Sequence, residues 1–498
     1  MSNSNYPPVV RGEGATESER HLQRLAEKSF LRLWSYPGVQ RKSGPLYKEL
    51  TDLLVVMGNH VLLFSDKQVA FDMVGPVEVA WARWHREAIM ASVKQLRGAE
   101  RLLFAPGTTL ALDAKGTQPF PIAIPSRSAA RVHRIAVAHG AAEACMKNSG
   151  GTGSFFISPD IGDSAKQPFV VGDVDPKGAF IHVLNDHSLE VVIKELDTLP
   201  DFLAYLEARE ALIRGGRLAG VPGEEELLGA YLRNGTPEAH AFPRGKEGFS
   251  VFFPEGHWET WRTSPERAAR EAADKVSYAW DGLLADFEQH LLDGTSIVRT
   301  HSSVADNEFA LRVMATTTRT QRRALGERLI EILSRPCPPR RPWSAGLTQV
   351  TPAGGLPAPA FVIIGVPNKG KLEEEYRLDR QGLLRAYTMV ALLLCPDAPG
   401  AFGIATEPIR PHGSASHDMC YIDRSDFDAA AEAEARRYRK DLHIFTEVAK
   451  TGGTVFEYPT EEATGISSAA PVANRPSGKD RNKPCVCGSG RKQKKCCG

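Results

Sequence analysis

No apolar run in this 498-residue chain approaches the ~18–20 residues needed to cross a bilayer as a helix, so no membrane span is expected. The first dozen residues, MSNSNYPPVVRG, lack the apolar stretch of a secretory signal, and the expected location is the cytoplasm. Net charge is nearly absent. Lys and Arg number 61 against 60 Asp and Glu, which leaves +1. A chain so balanced is not a general polyanion binder, and any nucleic-acid contact must come from a local patch. Cysteine is scarce and unevenly placed. Four of the eight stand singly (Cys145, Cys337, Cys395, Cys420) and four crowd into the last fourteen residues. A disulfide scaffold spreads its cysteines, whereas a tight cluster reads as a metal site. There is no repeat of fixed period, no His-Glu-x-x-His helix among the 14 histidines, and no Gly-x-Ser-x-Gly elbow. These absences give a catalytic zinc helix or an α/β-hydrolase nucleophile no support.

What is present reads as an α/β multidomain chain. The apolar fraction of 42% suits globular protein, and the length corresponds to about three domains. Periodicity predicts a helix over 17–35, with Leu22, Leu25, Ala26, Phe30, Leu33 and Trp34 on one stripe. A β-hairpin follows over 48–67, turning at Gly58-Asn59-His60, and then a long helix over 76–104. RIAVAH and AFIHVL read as strands. The first α/β domain is therefore placed at 17–215, with its core at 17–105. A mainly helical region at 216–345 is expected to hold helices over 264–293 and 302–335. A second α/β region spans 346–465, and residues 466–480 have the composition of a flexible linker.

The final segment, 481–498, ends PCVCGSGRKQKKCCG. Cys485, Cys487, Cys496 and Cys497 are spaced Cys-x-Cys-x8-Cys-Cys. Four thiolates complete a closed tetrahedral zinc shell, and Gly488 and Gly490 allow a tight turn around it. So short a segment cannot build an apolar core, so the metal would supply its folding energy. Residues 471–498 carry eight Lys or Arg and one Asp, a local charge of +7. The segment resembles the SEC-C motif, known from the C-terminus of the translocation ATPase SecA and appended to many unrelated proteins. That resemblance implies zinc on all four cysteines and an accessory binding role towards a protein or ribosomal partner.

Near the N-terminus, polar residues fall on faces that should be buried. Glu19 lies three residues before Leu22 on the apolar stripe of its helix. Asp52 alternates onto the face of Leu54 and Val56, and Lys67 onto the face of Leu63 and Ser65. Gln95 lies on the apolar side of the third helix. Charges are rarely buried without partners or metals. Two acids hold Mg2+, and a lysine positions water for attack on phosphate. The pattern in KELTDLLVVMGNHVLLFSDKQ and SVKQLRGAERLL resembles the PD-(D/E)xK nuclease superfamily, particularly its Mrr-like and NERD-like branches. The resemblance implies a restriction-endonuclease-like fold and a Mg2+ or Mn2+ site on Asp52 and Glu19; outside the family pattern, Glu49 lies one turn-length before Asp52 and is a further candidate ligand. It also implies catalytic roles for Lys67 and Gln95. It departs at Ser65, where the superfamily places an acid. Asp66 is adjacent, but it points to the other face of an ideal strand unless a bulge turns it into the site. The expected function is metal-dependent hydrolysis of phosphodiester bonds in nucleic acid, DNA in the first instance, in defence against foreign DNA. The competing reading is a non-catalytic adaptor with a degenerate nuclease-like domain. Nothing in the sequence sets an oligomeric state.

Three other signals carry less. GVPNKGKL, residues 365–372, nearly spells a P-loop, but Leu372 replaces the Ser or Thr that binds Mg2+. The arginines of 319–341 read as a solvated helical face, with phosphate contact as the other reading. Glu407 and Asp418 hint at a second acidic site, without a lysine partner.

Overall fold

The computed structural model describes residues 6–159, 164–236, 239–243, 248–295, 303–335, 343–351, 357–408, 416–446 and 457–458. The chain is mixed α/β and divides into two compact units. One comprises residues 1–267 with 277–323, the other 268–276 with 324–498. No described helix is long and apolar enough to cross a membrane.

The first unit is organised by a six-stranded sheet. Helix α1, Glu17–Phe30, starts at Thr16, whose hydroxyl accepts from the Glu19 N–H, and buries Leu22, Ala26 and Phe30. It stops short of the expected residue 35. The next segment, Ser35–Ser43, is strand β1, an element the periodicity did not signal. Pro37 disfavours a continued helix, because it lacks an N–H and clashes with the preceding turn. Strands β2 (Leu46–Met57) and β3 (His60–Gln68) form the expected hairpin. Gly58, at φ +60°, takes the left-handed position in its two-residue turn.

After β3 come α2 (Val77–His85), a π-helical segment over Arg86–Met90, and α3 (Ala91–Leu103). The expected single helix is thus one run with a π-segment in its middle. The two-residue strand β4 is Leu110–Ala111. Strand β5 (Arg131–His139) then pairs parallel to β3, and β6 (Ile181–Leu184) parallel to β5. The sheet order is β4-β1-β2-β3-β5-β6. Residues 65 and 66 of β3 show how it is covered. Ser65 meets α3 and Asp66 meets α1, so the two helices lie on opposite faces. Further on, α4 (Ala142–Ser149), α5 (Asp186–Glu195) and α6 (Leu199–Arg214) complete the part of the unit that concerns the sites.

The expected helix over 264–293 is broken into Pro265–Asp274 and Tyr278–Leu292. That over 302–335 is broken into Val304–Ala315 and Arg319–Ser334. The three threonines 316–318 separate the latter pair, and the Thr317 hydroxyl bonds the Met314 carbonyl instead of continuing the helix. The second unit holds a four-stranded sheet. Its strands are Ser344–Thr348, Ala360–Gly365, Gly400–Thr406 and His417–Asp423, in that order, with only the central pair parallel. The 22-residue helix Glu373–Leu394 makes the crossover, burying Leu384, Tyr387 and Val390 against Val362 and Ile364. The small-residue edge strand at 344–348 was not legible in the sequence.

Candidate functional site

Asp52 sits in the middle of the first sheet, 6% exposed, on the face that α3 covers. Its side chain has three donors. The Asp66 N–H donates to Oδ2 at 2.5 Å, the Gln95 amide donates to Oδ1 at 2.8 Å, and the Lys67 ammonium lies 3.4 Å from Oδ2. Three of the sequence-predicted residues, Asp52, Lys67 and Gln95, are therefore brought together by β2, β3 and α3. Lys67 remains about a third exposed, so its ammonium faces both Asp52 and solvent.

Two more acids surround this point. Pairing of β1 with β2 slips by one residue between Val39 and Gln40, leaving Leu50 as an extra residue in β2. A bulge of this kind re-aims the side chains beyond it, and Glu49, the first residue past it, feels the charge of Asp52. Burial raises the Glu49 carboxyl above its ordinary value, and the charges of Asp52 and Glu19 raise it further. The Asp52 carboxyl is raised chiefly by burial, with a smaller contribution from Glu19, against the pull of the Asp66 N–H, Lys67 and Gln95. Glu19 is half-buried on α1, and its carboxylate accepts from the Ala15 N–H at 2.8 Å. The three carboxylates are within electrostatic reach of one another. Their carboxylate oxygens do not all lie within 4.8 Å of one another. The arrangement is an acidic rim around one buried aspartate, with one lysine as counter-charge. Concentrated, partly desolvated negative charge of this kind suits a hard divalent cation.

Ser65, where the resemblance implies an acid, is fully buried. Its hydroxyl lies 3.1 Å from both Ser92 Oγ and Gln95 Oε1. Gln95 therefore bridges Asp52 and Ser65. The expectation that a bulge turns Asp66 into this site is corrected. Pairing of β3 with β5 runs without a shift from His60 to Gln68, so strict alternation sends the Asp66 carboxylate to the opposite face. There it accepts from the Ser18 hydroxyl at 2.8 Å and lies 3.0 Å from His139 Nε2. Only the backbone of Asp66 serves Asp52. Ser18, Ser92 and His139 were missed from the sequence. Only His139, at the end of the strand RIAVAH, carried any signal, as a polar residue closing an apolar run.

Other signals resolve into structural roles. Arg319, Arg322 and Arg323 are buried rather than solvated. Arg319 reaches Asp197 at 2.8 Å and Asp281 at 2.7 Å, and Arg322 reaches the other oxygen of Asp281 at 2.9 Å. In the second unit, Asn368 Oδ1 accepts from the N–H groups of Gly370 and Lys371, and Lys371 pairs with Glu375 and Asp379. The near P-loop thus caps itself. Asp418 is buried against Arg377 and Arg380, which makes it an ion-pair partner. The linker at 466–480 and Cys485, Cys487, Cys496 and Cys497 lie outside the described residues.

Residues 481–498 match the SEC-C motif, which is generally associated with zinc binding. No curated protein and no solved structure matches the chain.

Proposed function

We propose that the first unit is a metal-dependent nuclease acting on DNA phosphodiester bonds, on a restriction-endonuclease-like framework of α1, β1–β3, α3 and β5. The observation that carries this reading is the environment of Asp52. A buried carboxylate is fixed by a backbone N–H, an amide and an ammonium about a third exposed, and Glu19 and Glu49 add negative charge beside it. Asp52, Glu19 and Glu49 would hold Mg2+ or Mn2+. A bound divalent ion supplies Lewis-acid stabilisation of the charge that builds on the phosphoryl oxygens. Lys67 orients a water for attack, because its ammonium is anchored by Asp52 yet reaches solvent. Gln95 fixes the Asp52 rotamer and occupies, with Ser65, the space of the absent acid.

The SEC-C segment, with zinc on Cys485, Cys487, Cys496 and Cys497, is a basic knuckle suited to a polyanion or to an acidic protein or ribosomal surface. One observation favours the second reading, a non-catalytic adaptor. The pocket is completed by the uncharged trio Ser65, Ser92 and Gln95, where a two-acid metal site needs a carboxylate. The test is cleavage of supercoiled plasmid by the full chain with Mg2+ or Mn2+, with and without chelator. Divalent-dependent nicking that is lost in Lys67→Ala supports the nuclease. An inert wild-type chain supports the adaptor.

A further inference from the structure

A second cluster lies on the opposite face of the same sheet and at the opposite end of β3. His60 opens β3, seven residues before Lys67, which is roughly 23 Å along an extended strand. Beside it, His133 of β5 is buried. His60 Nδ1 and His133 Nε2 are 3.3 Å apart, and the rings stack at 5.6 Å. The register explains this placement. Parallel pairing sets His60 opposite Arg131 and Leu62 opposite His133, so the two histidines are diagonal neighbours on one face. Helix α6 brings Glu207 over that face, and one ligand atom from each of the three residues lies within 4.8 Å of the other two. Nothing in the proposed nuclease reaction uses these groups.

We propose that His60, His133 and Glu207 form a Zn2+ site that ties β3 and β5 to α6. Two nitrogens each about 2.05 Å from a tetrahedral zinc stand about 3.3 Å apart, so the imidazoles already hold the bite that the ion requires. Both imidazoles are biased to the neutral, ligating form. Burial holds His133 down at about 3 and, against the pull of Glu207, His60 below the usual range, and Arg131 lowers both. Glu207 is exposed and pairs with Arg131 only at 3.7 Å, a surface contact worth little, so turning it onto an ion costs little. Arg134, the other cation beside His133, is neutralised by Glu100 at 2.5 Å. His182, also buried on this sheet, is not a ligand, since its Nδ1 faces the Arg209 guanidinium at 3.4 Å. Two imidazoles and one carboxylate leave the fourth position of zinc to water. The nitrogen donors select a borderline transition ion over Mg2+, which sets this site apart from the acidic rim around Asp52.

The test uses the full chain carrying Cys485→Ser and Cys487→Ser, which removes thiolate binding by the knuckle. After chelation and dialysis it is titrated calorimetrically with Zn2+, and separately with Mg2+. The expected result is one Zn2+ per chain. Binding should weaken at least tenfold on adding His60→Ala or, separately, Glu207→Gln, and persist on adding Asp52→Asn, and Mg2+ should not compete for it. His60 is half-exposed and Glu207 exposed, so both variants keep the fold, and their circular dichroism should match the parent. No zinc binding in the cysteine variant overturns the proposal. So does binding indifferent to His60 and Glu207, or binding lost with Asp52→Asn, which would move the ion to the acidic rim.

Discussion

The Gln95 amide donates to Asp52 Oδ1 at 2.8 Å, while its own Oε1 lies 3.1 Å from the Ser65 hydroxyl. One neutral side chain thus joins the buried acid of β2 to the residue of β3 that takes the place of a second acid. The chemistry of the site rests on how much work the remaining groups, Asp52, Lys67, Glu19 and Glu49, do between them.

Asp52→Asn is expected to abolish divalent-dependent cleavage without loss of stability. Burial raises the Asp52 carboxyl, so at neutral pH the folded chain carries a charge that burial disfavours. Asparagine keeps an acceptor for the Asp66 N–H, its amide can donate to Gln95 once the Gln95 amide turns over, and that cost is removed. In the absence of metal the thermal midpoint should be unchanged or raised by a few degrees. A large fall in the midpoint with cleavage intact would make Asp52 a structural hydrogen-bonding residue.

Lys67→Ala should reduce cleavage on the order of 10^2- to 10^4-fold, the usual contribution of a positioned proton-transfer or water-orienting group. Lys48→Ala, on the exposed start of the same hairpin, should leave the rate unchanged. Single-turnover plasmid assays compare the two. Equal, silent effects would point to the adaptor.

Asp66→Ala is expected to lower stability and to leave Mn2+ affinity alone, because its carboxylate bonds Ser18 and His139 on the far face. Calorimetric Mn2+ titration beside a thermal melt separates the two effects. Loss of Mn2+ binding at unchanged stability would contradict the placement of its side chain.

Glu288 predicts a pH dependence. Burial lifts its carboxyl to about 7, against the pull of the Leu33 N–H, which it accepts at 2.7 Å, and of Arg32 and Arg11. The folded chain retains a proton that the unfolded chain releases near about pH 4.3. The associated stability is fully present below that pH and is lost as pH rises towards about 7. Wild type should therefore be less stable at about pH 8 than at about pH 5.5, and Glu288→Gln should remove roughly 2 kcal/mol of that difference. Denaturant titrations at the two pH values measure it.

Arg319→Ala should cost about 1–3 kcal/mol, because a buried guanidinium and its bonds to Asp197 and Asp281 are lost, while Asp281 keeps Arg322 as its partner. DNA affinity measured under native conditions should not change. A loss of DNA binding with stability intact would restore the phosphate-contact reading of this arginine run.

Patterns local in the chain were legible in the sequence. The stripe of Leu22, Ala26 and Phe30 specified α1, and Gly58-Asn59 between two apolar runs specified the β2–β3 hairpin. The spacing of the last four cysteines specified the segment that matches the SEC-C motif. Each of these depends on neighbours within about twenty residues, where helical and strand periods fix which side chains share a face. What lies between elements was decided only by tertiary structure. Ser35–Ser43 became a strand because β2 and β4 offer it partners. The direction of Asp66 follows from an unbroken register with β5, seventy residues on. His60, His133 and Glu207 meet because a parallel crossover returns the chain beside β3 and α6 then covers it. Arg319 and Arg322 are buried because Asp197, in the loop between α5 and α6, and Asp281, in the helix Tyr278–Leu292, face them. Residue type and period say what a side chain can do. Strand register and crossover geometry decide which side chains it does it with, and those are properties of the folded chain.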